Sequence, residues 1–220
     1  MLFPIAPCQL VTVSPPVQLP KDVIDLLQQT KWGTWALGVF KKYTPTLQWN
    51  PDPKAAPALY DATADVCRIN PKLASPIIGS YFTHEMYHVQ QAKTGKSADV
   101  TSKDKKKYVD TMVMEEIQGT LFGYLMFLEL DQNGQIPSSC PRPLYYLDFK
   151  RTYLSARAYK LKQDPAASPE DLHAFAAPYA RGELYKWMVT IGTLGANAWE
   201  SYTEYYERDW NRQHRNDPTP

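Results

Sequence analysis

Cysteine is scarce in this chain: Cys8, Cys67 and Cys140 are all it has among 220 residues, far apart and odd in number. No C-x-x-C spacing occurs, so they make poor zinc ligands, and the count fits one disulfide with a leftover thiol as well as three reduced thiols. An excess of charge of one sign is also missing. The 24 Lys and Arg nearly cancel the 23 Asp and Glu, leaving +1. Such a balance offers no field for a polyanion, so no nucleic-acid partner is expected. The one basic cluster, Lys103 to Lys107, is interrupted by Asp104 and reads as a solvated segment. No run approaches the roughly 18 apolar residues of a membrane span, and Leu121 to Leu128 reads as part of a buried helix. The G-x-S-x-G of a serine hydrolase is absent. Gly192-Thr193-Leu194-Gly195 lacks the Lys-Ser/Thr ending of a phosphate-binding loop.

A secretory signal wants a basic start and an unbroken apolar run. Met1 to Pro20 has neither: Pro4, Pro7, Pro15, Pro16 and Pro20 interrupt it, and no Lys or Arg precedes Lys21. It reads as an extended arm on a cytoplasmic protein, or on one exported by a non-classical route.

Histidine is nearly as rare as cysteine, at four, yet two histidines fall in one short stretch. His84-Glu85-Met86-Tyr87-His88 is an H-E-x-x-H motif. On a helix, residues four apart lie on one face, so both imidazoles address the same point, as two ligands of a tetrahedral zinc must. Glu85 lies about 100° round the helix, where it can act as general base on a zinc-activated water.

The flanking sequence marks a helix. Ser75 is read as the N-cap, Pro76 as the first helical residue, Lys93 as the last-turn cation and Gly95 as the left-handed terminator. Ile78, Phe82, Met86 and Val89 form a core-facing stripe. Ile77, Tyr81, His84, His88 and Gln91 form a second stripe, facing a cleft.

Elsewhere the patterns give short helices over Asp22 to Gln29 and Lys31 to Tyr43, and a strand over Thr46 to Trp49. A strand, turn and strand follow over Leu59 to Pro71. Helices come next at Tyr108 to Leu130 and Leu144 to Lys162, and a third starts at Ser168-Pro169. Pro178 is expected to kink or break that third helix. Ala196 to Trp210 closes the series, with Trp199, Tyr202, Tyr206 and Trp210 as a core-facing aromatic stripe. The fold class is α+β, mostly helical, with a small antiparallel sheet packed on the H-E-x-x-H helix. One domain is expected over 1–220: the arm to residue 20, a catalytic core over 21–143, a helical extension over 144–210 and a tail over 211–220.

A third ligand is needed. H-E-x-x-H-x-x-G-x-x-H is excluded, because Gln91 and Thr94 stand where Gly and His belong. His173 and His214 lie in polar or terminal contexts that suit ligands poorly. Glu115 and Glu116 sit in mid-helix among apolar residues, a costly place for an unpaired acid. Gly119 and Gly123 mark the side on which that helix can approach another closely. Glu116 lies about 40° from the middle of that face and Glu115 about 60°, a mild preference for Glu116 at roughly 100° per residue.

His84-Glu85-x-x-His88 followed by Glu115-Glu116-x-x-Gly119 resembles the gluzincin-type zinc metallopeptidases, particularly their minimal bacterial members. The resemblance covers roughly residues 60–130. It implies a zincin-like core, with zinc on His84, His88 and a downstream glutamate that maps onto Glu116. It also implies Glu85 as general base and a peptide or protein as substrate. The family's frequent acid four residues after the ligand is Thr120 here. Three readings follow: an active zinc metallopeptidase, such an enzyme used as a secreted effector or toxin, or a catalytically silent binding scaffold. The intact Glu85 disfavours the last.

Overall fold

The computed structural model describes residues 17–52, 56–101, 104–190 and 200–215. They form α1 (Lys21–Gln28), α2 (Lys31–Tyr43), β1 (Thr46–Trp49), β2 (Ala58–Asp61), β3 (Val66–Ile69), α3 (Ser75–Lys93), α4 (Lys105–Gln132), α5 (Tyr146–Gln163), α6 (Pro169–Tyr185) and α7 (Tyr202–Gln213). A π-helical turn, Lys186–Thr190, follows α6. The chain is mostly helical, and its described strands make one sheet. Most of the expected N-terminal arm, Cys8, the Gly192 to Gly195 stretch and Trp199 lie outside the described residues. Cys67 and Cys140 are buried free thiols. Among the described residues no helix is long and apolar enough to cross a membrane.

The sheet is mixed, not antiparallel as expected. Its order is β1-β3-β2: β2 pairs antiparallel with β3, while β1 pairs with β3 in parallel. The β2–β3 hairpin is local, and Asp65 takes the positive φ of its turn at 54°. The β1–β3 pairing is not local, because β3 inserts between two strands that precede it. Strand periodicity says which residues face the core and is silent on which strand is the neighbour. The arrangement leaves β2 at the edge, beside α3.

Helix α3 starts differently from expectation. Ala74 is its N-cap and Ser75 its first residue, so Pro76 comes second. The Ser75 hydroxyl donates instead to the Asp22 carboxylate and ties α3 to α1. Its end is as expected, with Gly95 at φ 66° just beyond the Thr94 C-cap. Ile78, Phe82, Met86 and Val89 are all buried in the core. Ile77, assigned to the cleft face, is buried too.

Helix α4 is the other half of the core. Asp104 accepts a 2.9 Å hydrogen bond from the Lys107 N–H and starts the helix one turn earlier than the apolar pattern indicates. The helices α3 and α4 cross where glycine permits it. A Cβ on Gly123 would lie 2.6 Å from the Ser80 carbonyl oxygen, and one on Gly119 would lie 3.3 Å from His84 Nε2. At the same crossing the Ser80 hydroxyl donates to the Gly123 carbonyl oxygen at 3.0 Å.

The C-terminal part brings one correction. Pro178 sits inside α6 without ending it: a capping box of Ser168 and Asp171 starts the helix, and the buried Ala176, Ala180 and Leu184 hold it past the proline. Helix α7 begins at Tyr202, where Ser201 and Glu204 form its capping box; Ala196 to Trp199, the expected start, lie outside the described residues.

Two glycines give opposite expectations. Gly123→Ala drives a methyl into backbone, and the unfolding free energy should fall by about 1–3 kcal/mol. Gly38 is an exposed helical position with nothing within 4 Å of an added Cβ. Gly38→Ala should therefore raise stability by about 0.5–1 kcal/mol. Urea unfolding of both variants beside wild type measures the pair.

Candidate metal centre

The α3–α4 crossing places the acids of α4 against the histidines of α3. His84 and His88 are one turn apart, and their Nε2 atoms lie 2.9 Å from each other. One Glu116 carboxylate oxygen lies 3.3 Å from His84 Nε2, and the other lies 3.6 Å from His88 Nε2. One donor atom from each of the three residues falls within 4.8 Å of the other two. Glu85 is not in that group; the motif contributes its two histidines to it. Of the two adjacent acids, Glu116 is the one that converges, as the glycine-face angle indicates.

The remaining ring nitrogens are held from behind. Glu115 Oε1 lies 2.9 Å from His88 Nδ1, and the Ser97 hydroxyl donates to Glu115 Oε2 at 2.8 Å. Because a carboxylate accepts, His88 Nδ1 carries the proton and Nε2 turns to the cluster. Thr120 Oγ1 lies 3.2 Å from His84 Nδ1. A hydroxyl thus stands behind His84 where the gluzincin resemblance expects an acid. A fixed ring with its outer nitrogen engaged is the usual support of a metal-binding histidine. Glu116 is steadied too, by the Tyr206 hydroxyl of α7, which donates to its Oε1 at 2.5 Å.

The electrostatics favour positive charge. Burial would push His88 down, but the charge of Glu116, the hydrogen bonds that Glu115 and Glu116 accept from the ring, and the charge of Glu85 outweigh it and hold the imidazole well above its ordinary range. Burial would push Glu116 up, but His88 and His84 hold it far below the carboxylate range. So the site attracts a cation, whether a proton or a metal ion. The donor set, two imidazoles and one carboxylate within one cluster, could hold a metal ion.

Glu85 is 5% exposed and lines the same cavity of about 490 Å³ as His84, His88, Glu115 and Glu116. The Tyr60 backbone N–H, on edge strand β2, donates to its carboxylate. Burial raises its pKa, and the two imidazoles pull it partly back. A carboxylate moved toward neutrality is a better proton acceptor at neutral pH than an ordinary one.

The opposite wall comes from α7. Tyr202, Tyr205 and Tyr206 line the cavity, and Tyr206 is buried in the core as its stripe predicts. What the stripe does not convey is that the Tyr206 hydroxyl ends on Glu116. Ser97 and Tyr206 are supporting residues that the sequence leaves unmarked, whereas Thr120 stands at a position that the resemblance marks. For Tyr206 the only signal is a Tyr stripe at helical spacing, and with fifteen tyrosines in the chain that signal selects nothing. The other two histidines are elsewhere: His173 Nδ1 lies 2.9 Å from the Tyr153 hydroxyl, and His214 stacks on Trp210.

In comparisons with known proteins the chain matches no family model, no curated protein and no solved structure.

The geometry separates the two acids by experiment. Glu116→Ala should abolish stoichiometric metal binding. Glu115→Ala and Tyr206→Phe remove supports only and should weaken it by about 10–100-fold. Titration of the apoprotein with zinc against a competing chelator gives all three affinities.

Proposed function

We propose that this chain is a zinc metallopeptidase of the gluzincin type, hydrolysing peptide bonds with Glu85 as general base. The observation that carries the reading is the meeting of His84 Nε2, His88 Nε2 and the Glu116 carboxylate within 4.8 Å, beside a buried Glu85 in one cavity. His84, His88 and Glu116 would hold the ion. When bound, zinc supplies Lewis acidity: it polarises a carbonyl and lowers the pKa of water to about 7.

The protein's own residues do the rest. Glu85 accepts the proton of the attacking water on its carboxylate and returns it to the leaving amine. The Tyr60 N–H keeps that carboxylate oriented. Glu115 fixes the His88 tautomer, Thr120 supports His84, and Tyr206 keeps Glu116 from swinging away. Strand β2 is the sheet edge on this cavity, and the outer edge of a strand can pair an extended peptide through main-chain hydrogen bonds. The same donor set can serve non-haem iron. A buried acid next to the first histidine has a defined task in hydrolysis, and it tips the choice to zinc. The same acid distinguishes an enzyme from a silent scaffold, since a binding surface has no use for a base there.

Glu85→Gln removes the base and leaves the ligands. It should retain about one zinc per chain, and its kcat on a fluorogenic peptide library should fall by about 10²–10⁴-fold. Chelation should abolish wild-type cleavage, and added zinc should restore it. Cleavage by Glu85→Gln at the wild-type rate contradicts the mechanism. Zinc-loaded wild type that cleaves no peptide favours the scaffold.

A further inference from the structure

The two ends of the cavity differ in chemistry. Along α4 it is lined from Tyr108 to Tyr124, and Glu116 stands midway, eight residues from each. At about 1.5 Å per residue, each end lies about 12 Å from Glu116 along the helix axis.

The Tyr124 end is apolar. Leu144 is 52% exposed and lines the cavity beside Pro143 and Met188. Its carbonyl oxygen accepts from the Tyr124 hydroxyl. The next residue, Tyr145, takes φ 58°, a left-handed conformation uncommon for an aromatic residue, and its ring stacks on Trp187 with centroids 3.8 Å apart. Carbonyl and neighbouring ring are both anchored, so an exposed leucine is held on the rim.

The Tyr108 end carries a carboxylate. Four carboxylates line the cavity: Glu85, Glu115, Glu116 and Asp209. Glu116 converges on the histidines, Glu85 accepts from the Tyr60 N–H, and Glu115 is held between His88 and Ser97. Asp209 stands apart from that cluster. It lies on the cavity side of α7, three residues beyond Tyr206, and its Oδ2 accepts from the Tyr108 hydroxyl at 2.9 Å. Its Oδ1 lies 3.6 Å from Nη2 of Arg212, whose side chain is 57% exposed. An ion pair so open to water holds weakly, and a carboxylate has lone pairs to spare beyond these two partners. Among the described residues that line the cavity, none is Lys or Arg.

Resting on the metallopeptidase reading, we infer that Asp209 is a specificity-determining residue, its carboxylate receiving a Lys or Arg side chain of the bound peptide on one side of the scissile bond only. The incoming cation takes the place of Arg212 at Oδ1. An extended peptide rises about 3.3 Å per residue, so the basic residue falls about two to four residues from the scissile carbonyl once the length of its own stem is allowed for. Toward the other end the same peptide meets Leu144 and no carboxylate, and a basic residue gains nothing there. An acidic side chain finds no cation at either end.

The test gives zinc-loaded wild type the peptide library and reads the cleavage sites by mass spectrometry. Quenched peptides are then built on the best-cleaved sequence, with Lys, norleucine or Glu at each position within four residues of the cut. Lys should be favoured on one side alone, with kcat/KM about tenfold above norleucine and Glu the poorest. Asp209→Asn should bring the Lys-to-norleucine ratio within about twofold of unity, and Asp209→Glu should keep most of the preference. Arg212→Ala removes the competing cation at an exposed position outside the cavity lining, and it should raise the ratio. A wild-type ratio near unity, an equal preference for Lys on both sides, or a wild-type ratio in Asp209→Asn overturns the assignment and leaves the metallopeptidase reading standing. If Asp209→Asn loses its zinc or its melting transition, Arg212→Ala decides: a higher ratio supports the assignment, and an unchanged or lower one overturns it. Wild type that cleaves nothing in the library overturns the metallopeptidase reading, and the assignment falls with it.

Discussion

The structure depends on the close crossing of α3 and α4. Gly119 and Gly123 let the backbones approach until Ser80 bonds the Gly123 carbonyl and the His84 ring lies over Gly119. At that separation the carboxylates of α4 have no room to turn to solvent. Glu85, Glu115 and Glu116 are each 8% exposed or less, and burying three carboxylates together costs far more than a folded domain can spare unless positive charge meets them. Imidazoles that carry a proton supply part of that charge, and a divalent cation would offset two of the three negative charges. Stability and the proposed chemistry therefore rest on the same contact: the positive charge that makes the acids tolerable in the core is what a metal ion at this cluster would bring.

Around that crossing the supports form a closed set. Each histidine has one nitrogen in the cluster and one held from outside, His88 by Glu115 and His84 by Thr120. Glu116 is held by Tyr206, and Glu85 by the Tyr60 N–H. Three elements besides the crossing helices' own faces are engaged: β2, the segment carrying Ser97, and α7. The sequence between residues 144 and 210 reads as an extension of a catalytic core, yet its last helix forms a wall of the cavity and its Tyr206 hydroxyl holds the Glu116 carboxylate.

Legibility in the sequence follows the range of the interaction. The histidine helix, its glycine terminator and the choice of Glu116 over Glu115 all follow from angles within one helix, and those angles survive folding. The exchange of Ser75 from cap to partner of Asp22 does not, because Asp22 lies on another helix. The parallel pairing of β1 with β3 is hidden for the same reason. So is the Tyr206 hydroxyl, whose ring obeys the core stripe while its oxygen answers to a residue 90 positions away. Pro178 misleads in a different way: packing of the alanine face of α6 outweighs one missing backbone hydrogen bond.

The proposed function requires a single cation among His84, His88 and Glu116. Crystals of the zinc-loaded protein, with diffraction recorded on both sides of the zinc absorption edge, test it directly. One anomalous peak per chain is expected, about 2.0–2.2 Å from both Nε2 atoms and from a Glu116 carboxylate oxygen. A peak elsewhere in the chain, or one bonded to Glu115 with Glu116 turned away, would contradict it.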